Sequence, residues 1–299
     1  MKKLKILLSL ITQDNDYQRE QAAVAEAAAK RLGLELQVLY ANGDAIAQTQ
    51  QVLAQIHAAA DARPAAVVVE PVGTGMLPVA TAAANGGVAW VVLNRDSDYL
   101  AELRATAKVP VGGVHTDNEE VGRIQGRQFA MLLPNGGTIL YVEGPAADPA
   151  KQRRAGLAET LPSNIHVQAA RGKWTEESGA QAITSRLQGG RAPAIALVGC
   201  QNDAMALGAR KAVEAMPAGP AREQWLRLPF TGVDGLPGTG QVWVQKAQLA
   251  ATVVTPALTG LALEMLFKSL TAGTPFPGRT LTKPSSYPPI EELRARPAH

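Results

Sequence analysis

The chain has 299 residues, 46% of them hydrophobic, and its 29 basic and 26 acidic side chains leave a net charge of +3. That length is enough for two domains of ordinary size, and the scattered lysines and arginines exclude the basic stripe of a nucleic-acid surface. The one cysteine, Cys200, excludes an internal disulfide; at the end of an apolar run it reads as a buried structural thiol.

The first element carries two meanings. Met1-Lys-Lys-Leu-Lys-Ile-Leu-Leu-Ser-Leu-Ile11 has the basic start and short apolar run of a secretory leader, but Thr12-Gln-Asp-Asn-Asp16 follows in place of a small-residue cleavage site. The run also suits a first core strand. The expectation is therefore a cytoplasmic chain, or a periplasmic one whose leader lies outside the sequence shown. No segment approaches the roughly 18 apolar residues of a membrane span, so no direct membrane insertion is expected.

Further along, short apolar runs alternate with alanine-rich amphipathic stretches. The pattern predicts strands near 4–11, 34–40, 65–69 and 88–93, with helices near 17–32, 44–60 and 75–86. After Pro110 it restarts, with strands near 137–142, 164–169, 194–199 and 228–233 and helices near 117–133, 150–161, 176–189 and 203–215. Strand–helix–strand units of roughly thirty residues make right-handed crossovers and parallel sheets. The fold class is α/β, with two doubly wound parallel-sheet lobes. The runs 111–116 and 249–255 read as strands crossing between lobes, and the Pro-rich tail from Lys283 as surface chain.

Several chemistries are excluded. The turn after the first strand has no glycine and several acidic groups, so it cannot approach a pyrophosphate, and no P-loop pattern occurs. His57, His115, His166 and His299 share no metal-ligand spacing with each other or with Cys200. No Gly-x-Ser-x-Gly elbow is present. The expectation is no catalytic residue, no metal, no cofactor and no enzyme.

What remains lies at strand tips, where open α/β sheets bind ligands. In order these are Asp14-Asn15-Asp16-Tyr17, Glu70, Asn94-Arg95, Lys151 to Arg153, Trp174, Gln201-Asn202-Asp203, Asp234 and Thr255. Sugar hydroxyls donate to carboxylates and amide oxygens and accept from Arg or Asn, while C–H faces stack on aromatic rings. Each residue also has a plainer role. Asn15 and Asn202 or Asp203 suit helix caps, Glu70 a solvated loop, and Asp234 a turn. Their coincidence at successive strand ends carries the binding reading.

Gln201-Asn-Asp-Ala-Met-Ala-Leu-Gly208, Phe230-Thr-Gly-Val-Asp-Gly235, Gln248-Leu-Ala-Ala-Thr252, Val91-Val-Leu-Asn-Arg95 and His115-Thr-Asp-Asn118 carry a resemblance. From Lys5 to about Tyr287 the chain resembles type I periplasmic sugar-binding proteins of the ribose- and galactose-binding kind, whose domain also forms the effector core of lactose-repressor-type regulators. The resemblance implies three crossings, hence lobes at 1–115 plus 256–281 and 116–255 plus 282–299. It implies hinge closure on a small polyhydroxylated ligand, a monosaccharide or derivative, by a monomer serving an ABC transporter permease or a signalling partner. The alternative is a cytoplasmic sugar-sensing effector domain without its own DNA-binding motif. Positions matching the family's contacts are Asn15, Tyr17, Gln18, Glu70, Asn94, Arg95, Lys151, Trp174, Asn202, Asp234 and Thr255, with Arg153 beside Lys151. Gln18 replaces an aromatic, Asn94 an Asp, Lys151 an Arg and Thr255 a longer amide, and Glu70 is an extra carboxylate. Together these departures argue against plain ribose.

Overall fold

A computed structural model describes residues 3–188 and 194–294. From the N-terminus run β1 (Lys5–Leu10), α1 (Asp16–Leu32), β2 (Glu35–Tyr40), α2 (Ala45–Ile56), β3 (Ala66–Val69), α3 (Leu77–Asn85), β4 (Ala89–Leu93), α4 (Tyr99–Thr106) and β5 (Val111–Thr116). Next come α5 (Asn118–Leu132), β6 (Gly137–Glu143), α6 (Asp148–Thr160), β7 (Ile165–Arg171), α7 (Glu176–Gln188), β8 (Ile195–Cys200) and α8 (Asp203–Glu214). The chain continues through α9 (Pro220–Arg227), β9 (Phe230–Asp234), α10 (Gly240–Gln245), β10 (Ala251–Val254), α11 (Leu258–Ala272), β11 (Arg279–Thr282) and β12 (Ser285–Tyr287). It forms two compact units: the chain up to Thr116 with Ala257–Thr282, and Asp117–Pro256 with the chain from Lys283.

The first unit is a parallel sheet in the order β11-β5-β4-β3-β1-β2. Its inner strands β1, β3 and β4 are nearly continuous apolar runs because both faces are covered. Side chains alternate between them: Ile6, Leu8 and Leu10 of β1 pack with Ala22, Ala25, Ala28 and Ala29 of α1 and Leu263 of α11. Leu7 faces the other way, into a cluster with Val52, Ile56, Val79, Trp90 and Leu103. The α11 helix joins this unit although it lies more than two hundred residues from α1 in sequence. The Gln21 side-chain oxygen accepts from the Leu258 and Thr259 amides at 3.0 and 3.1 Å, capping α11.

The second unit has the order β12-β10-β9-β8-β6-β7, parallel except for β12, which runs antiparallel to β10. Leu140, Val142, Val198 and Cys200 face α7 and α8 residues on one side. Ile139, Tyr141 and Leu197 meet Phe129 of α5 and Leu157 of α6 on the other. Helices α5 and α6 approach closely: a Cβ on Gly156 would lie 1.9 Å from the Glu119 carbonyl oxygen, so only glycine fits there.

Two regions differ from the sequence expectation. The Pro-rich tail contributes β12, with Thr252 opposite Tyr287, because the edge of β10 offers unpaired backbone groups that three residues between Pro284 and Pro288 satisfy. The run 258–272, which the periodicity did not separate as a helix, is α11; its nearly all-apolar sequence gives little contrast between faces.

Candidate functional site

In the first unit the carboxyl ends of β1, β3 and β4 bring four polar side chains together. Asn15 sits where β1 gives way to α1 and is the N-cap, its side-chain oxygen accepting from the Gln18 amide at 2.8 Å. Gln18, one turn in, is buried; its oxygen accepts from the Ile11 amide at 3.0 Å and its nitrogen donates to Glu70 Oε2 at 2.8 Å. Glu70, at the end of β3, is buried rather than the solvated loop carboxylate that the adjacent proline suggested. Asn94, at the end of β4 with a left-handed φ of 56°, donates to Glu70 Oε1 at 3.4 Å.

Burial pushes the Glu70 carboxyl above its ordinary 4.5, against the opposing pull of the Gln18 and Asn94 hydrogen bonds and the Arg95 charge. Gln48 of α2 supports this tip. Fully buried, it donates to Ser9 Oγ and to the Glu70 carbonyl oxygen and accepts from the Val72 amide. Sequence reasoning missed Gln48, which reads as one amide among several on a helix. Tyr17 is half-buried at the start of α1, and Arg95 is half-buried beyond Asn94. Asp96, next in line, accepts from Arg279 Nε and Nη2 at 3.1 and 3.2 Å and lies 3.7 Å from His115 Nε2.

In the second unit the ends of β6, β8 and β9 do the same. Arg153 is buried on α6; its Nε donates to Asn118 Oδ1 at 2.9 Å, another of its nitrogens donates to the Gln201 carbonyl, and its guanidinium lies 5.5 Å from the Trp174 ring centre. Lys151, two residues earlier, is exposed, so the buried guanidinium here is that of Arg153. Arg154 turns away to Glu143 at 3.0 Å. Trp174, half-buried with φ 66°, lays its ring where a Cβ on Gly144 would stand.

Asn202 caps α8, accepting from the Met205 amide at 3.0 Å, and its nitrogen holds the Trp174 carbonyl at 3.1 Å. The helix cap and the residue at the tip of β8 are thus one and the same. Asp234 ends β9 with φ 111°, and its carbonyl accepts from the buried Thr255 amide at 3.0 Å.

Behind Asp234 lies Asp203, which the sequence offered with Asn202 as a helix cap; Asn202 takes the cap and Asp203 turns inward. Its Oδ2 accepts from the Gly235 amide at 2.8 Å and its Oδ1 from the Thr252 hydroxyl at 2.7 Å. A Cβ on Gly232 or Gly240 would stand about 2 Å from those oxygens, so the two glycines form its cradle. Burial, then the Asp234 charge, holds the Asp203 carboxyl well above its ordinary 3.8.

Neither set resembles a reaction centre. Cys200 is buried with its thiol pushed up by desolvation, and the described residues contain no metal-binding group of His, Cys, Asp and Glu. No helix among the described residues is long and apolar enough to cross a membrane. In each unit the strand tips carry amides, a carboxylate and a guanidinium, groups that hydrogen-bond hydroxyls, and in the second unit Trp174 adds an indole face.

Two doubly wound units with an interleaved chain, polar at their strand tips, make up the architecture of two-lobed binding proteins. A family profile described as a periplasmic binding protein domain matches residues 6–274, and the chain belongs to that family. Among its relatives is the galactofuranose-binding protein YtfQ of Escherichia coli (strain K12), 24% identical over 293 residues that cover 96% of this chain and 88% of the other. Solved structures share the fold. An ABC transporter periplasmic solute-binding protein of Actinobacillus succinogenes 130z, with bound D-allose, superposes with a TM-score of 0.81 at 23% identity, covering 95% of this chain and 97% of that one. A protein of Mycobacterium smegmatis in complex with β-D-fucofuranose gives 0.78 at 24% identity, covering 95% and 90%.

Proposed function

We propose that the chain captures a small sugar or sugar-like polyol for an ABC-type importer and works in the periplasm. The carrying observation is that polar strand tips recur in both units: Gln18, Glu70, Asn94 and Arg95 in one, Arg153, Asn202, Asp234 and Thr255 in the other. In this reading hydrogen-bonding groups of both units close on one ligand by hinge motion of the three connecting segments, and Tyr17 and Trp174 supply the flat faces. Asn15 and Lys151 sit at the margin. Charged partners and exclusion of water on closure give the affinity. The relatives that bind galactofuranose, D-allose and fucofuranose support a monosaccharide, and extend the class to five-membered rings.

The test is a thermal-shift screen of ligand-free protein against pentoses, hexoses, furanosides, polyols, sugar acids and amino acids. A ligand at a hundred times its Kd adds about 2.7 kcal/mol, which at this size raises Tm by several degrees. A rise with one sugar class that is lost in Asp234→Ala supports the reading. A rise with amino acids alone, or none across the panel, overturns it.

A further inference from the structure

The first unit contains a one-directional hydrogen-bond chain. The Ile11 amide has only a proton to give, so Gln18 must turn its oxygen to it and its nitrogen to Glu70 Oε2. Oε2 is thereby an acceptor in either charge state of the carboxyl. What remains is Oε1, which faces the Asn94 amide. An ionised carboxyl offers only lone pairs, so it draws in the Asn94 nitrogen. The Asn94 oxygen then points away from Glu70; it is buried and meets no hydrogen-bond donor among the described residues. With Gln18 donating to Oε2, a proton on Oε1 finds its acceptor in the Asn94 oxygen once that amide reverses.

We infer that Glu70 is a positioning residue that sets the hydrogen-bond polarity of Asn94: ionised, it presents the Asn94 oxygen to receive a ligand hydroxyl proton; protonated, it presents the nitrogen instead. The inference rests on Asn94 being part of the binding surface proposed above, and it specifies what the ligand offers there. With Glu70 ionised, that group is a hydroxyl donor, as in a polyol, and not an ether, ester or keto oxygen.

The charged group bearing on Glu70 is Arg95, next to Asn94, which favours the ionised form. The side chains that hold Glu70 and its backbone from α1, α2 and β4 are the neutral amides of Gln18, Gln48 and Asn94. Burial opposes Arg95 and raises the carboxyl, which brings the exchange of the two states closer to neutral pH.

Side-chain amide NMR of the ligand-free full chain, labelled with nitrogen-15, tests this during a pH titration, with the Glu70 carboxyl followed through its carbon-13 shift. The Gln18 and Asn94 amide signals should move with the Glu70 midpoint, above 4.5, and Asn94 should move further because it reverses. In Glu70→Gln the substituted amide must give its oxygen to Gln18 and its nitrogen to Asn94, so Asn94 should hold its acid-limit shift at every pH. An Asn94 signal that stays put while Glu70 titrates overturns the inference, as does an Asn94 signal at its alkaline limit in the variant. The wild-type titration stands alone if the variant does not fold. It needs no ligand, so a failed sugar screen would sink the function proposed above while leaving this result readable.

Discussion

Each unit buries one carboxylate just behind its polar strand tips, and the two are held differently. Glu70 is held by two side-chain amides: Gln18, whose orientation the Ile11 amide fixes, and Asn94, which can reverse. Asp203 is held by a backbone amide, a hydroxyl and two glycines that leave no room for movement. The same sheet topology therefore supports one adaptable tip and one fixed tip. In the fixed tip the carboxylate is part of the framework and its loss damages the fold. In the adaptable tip the loss changes hydrogen bonding first.

The largest expected effect is at the fixed tip. Asp203→Ala strands the Gly235 amide and the Thr252 hydroxyl in a buried site, at about 1–3 kcal/mol for each group. Urea denaturation should show a loss of at least 2 kcal/mol or so, while Asp203→Asn, which can still serve both partners, keeps most of it. Equal losses in the two variants would contradict the assigned hydrogen bonds.

Arg153→Ala comes next. It removes the donor to Asn118 and Gln201 and the cation beside Trp174. Charged hydrogen bonds contribute roughly 1.5–3 kcal/mol, so calorimetric titration with the best sugar of the screen should show affinity weakened at least tenfold. Affinity within twofold of wild type would remove Arg153 from the site.

At the adaptable tip the effect is on pH dependence. The Glu70 carboxyl binds its proton more tightly in the folded chain than in the unfolded one. The stability it contributes is therefore full below the unfolded value and lost as pH rises through the folded one. Glu70→Gln should be at least as stable as wild type at pH 7, and its stability should respond less to pH between 4 and 7. A large loss of stability at pH 7 would mean that Glu70 belongs to the framework after all. The smallest effect belongs to exposed Lys151: Lys151→Ala should alter stability by no more than about 0.5 kcal/mol in the same denaturation experiment.

Much of this was legible in the sequence. Apolar runs covered on both faces announced the parallel strands, and polar residues immediately after them marked the tips. The resemblance supplied the type I binding-protein family and its fold. Pairings between distant residues were not legible. Gln18 and Glu70 are 52 positions apart and Gln21 and Thr259 are 238 apart, and no local pattern links them. Between Asn202 and Asp203, adjacent and both suited to a cap, only three-dimensional packing decides. Asn202 takes the helix end, and Asp203 turns inward to Gly235 and Thr252.

The register of the last strands bears on how the chain is made. Arg279 pairs opposite Gly113 at the end of one sheet, and Tyr287 opposite Thr252 at the end of the other. Neither sheet is complete until β11 and β12, at Arg279–Thr282 and Ser285–Tyr287, have been made. During synthesis β5 and later β10 stand as uncovered edges, the kind that pair with neighbouring chains. Both halves thus depend on two strands only a few residues apart, β11 and β12, and a chain truncated before Arg279 should aggregate rather than release a folded first half.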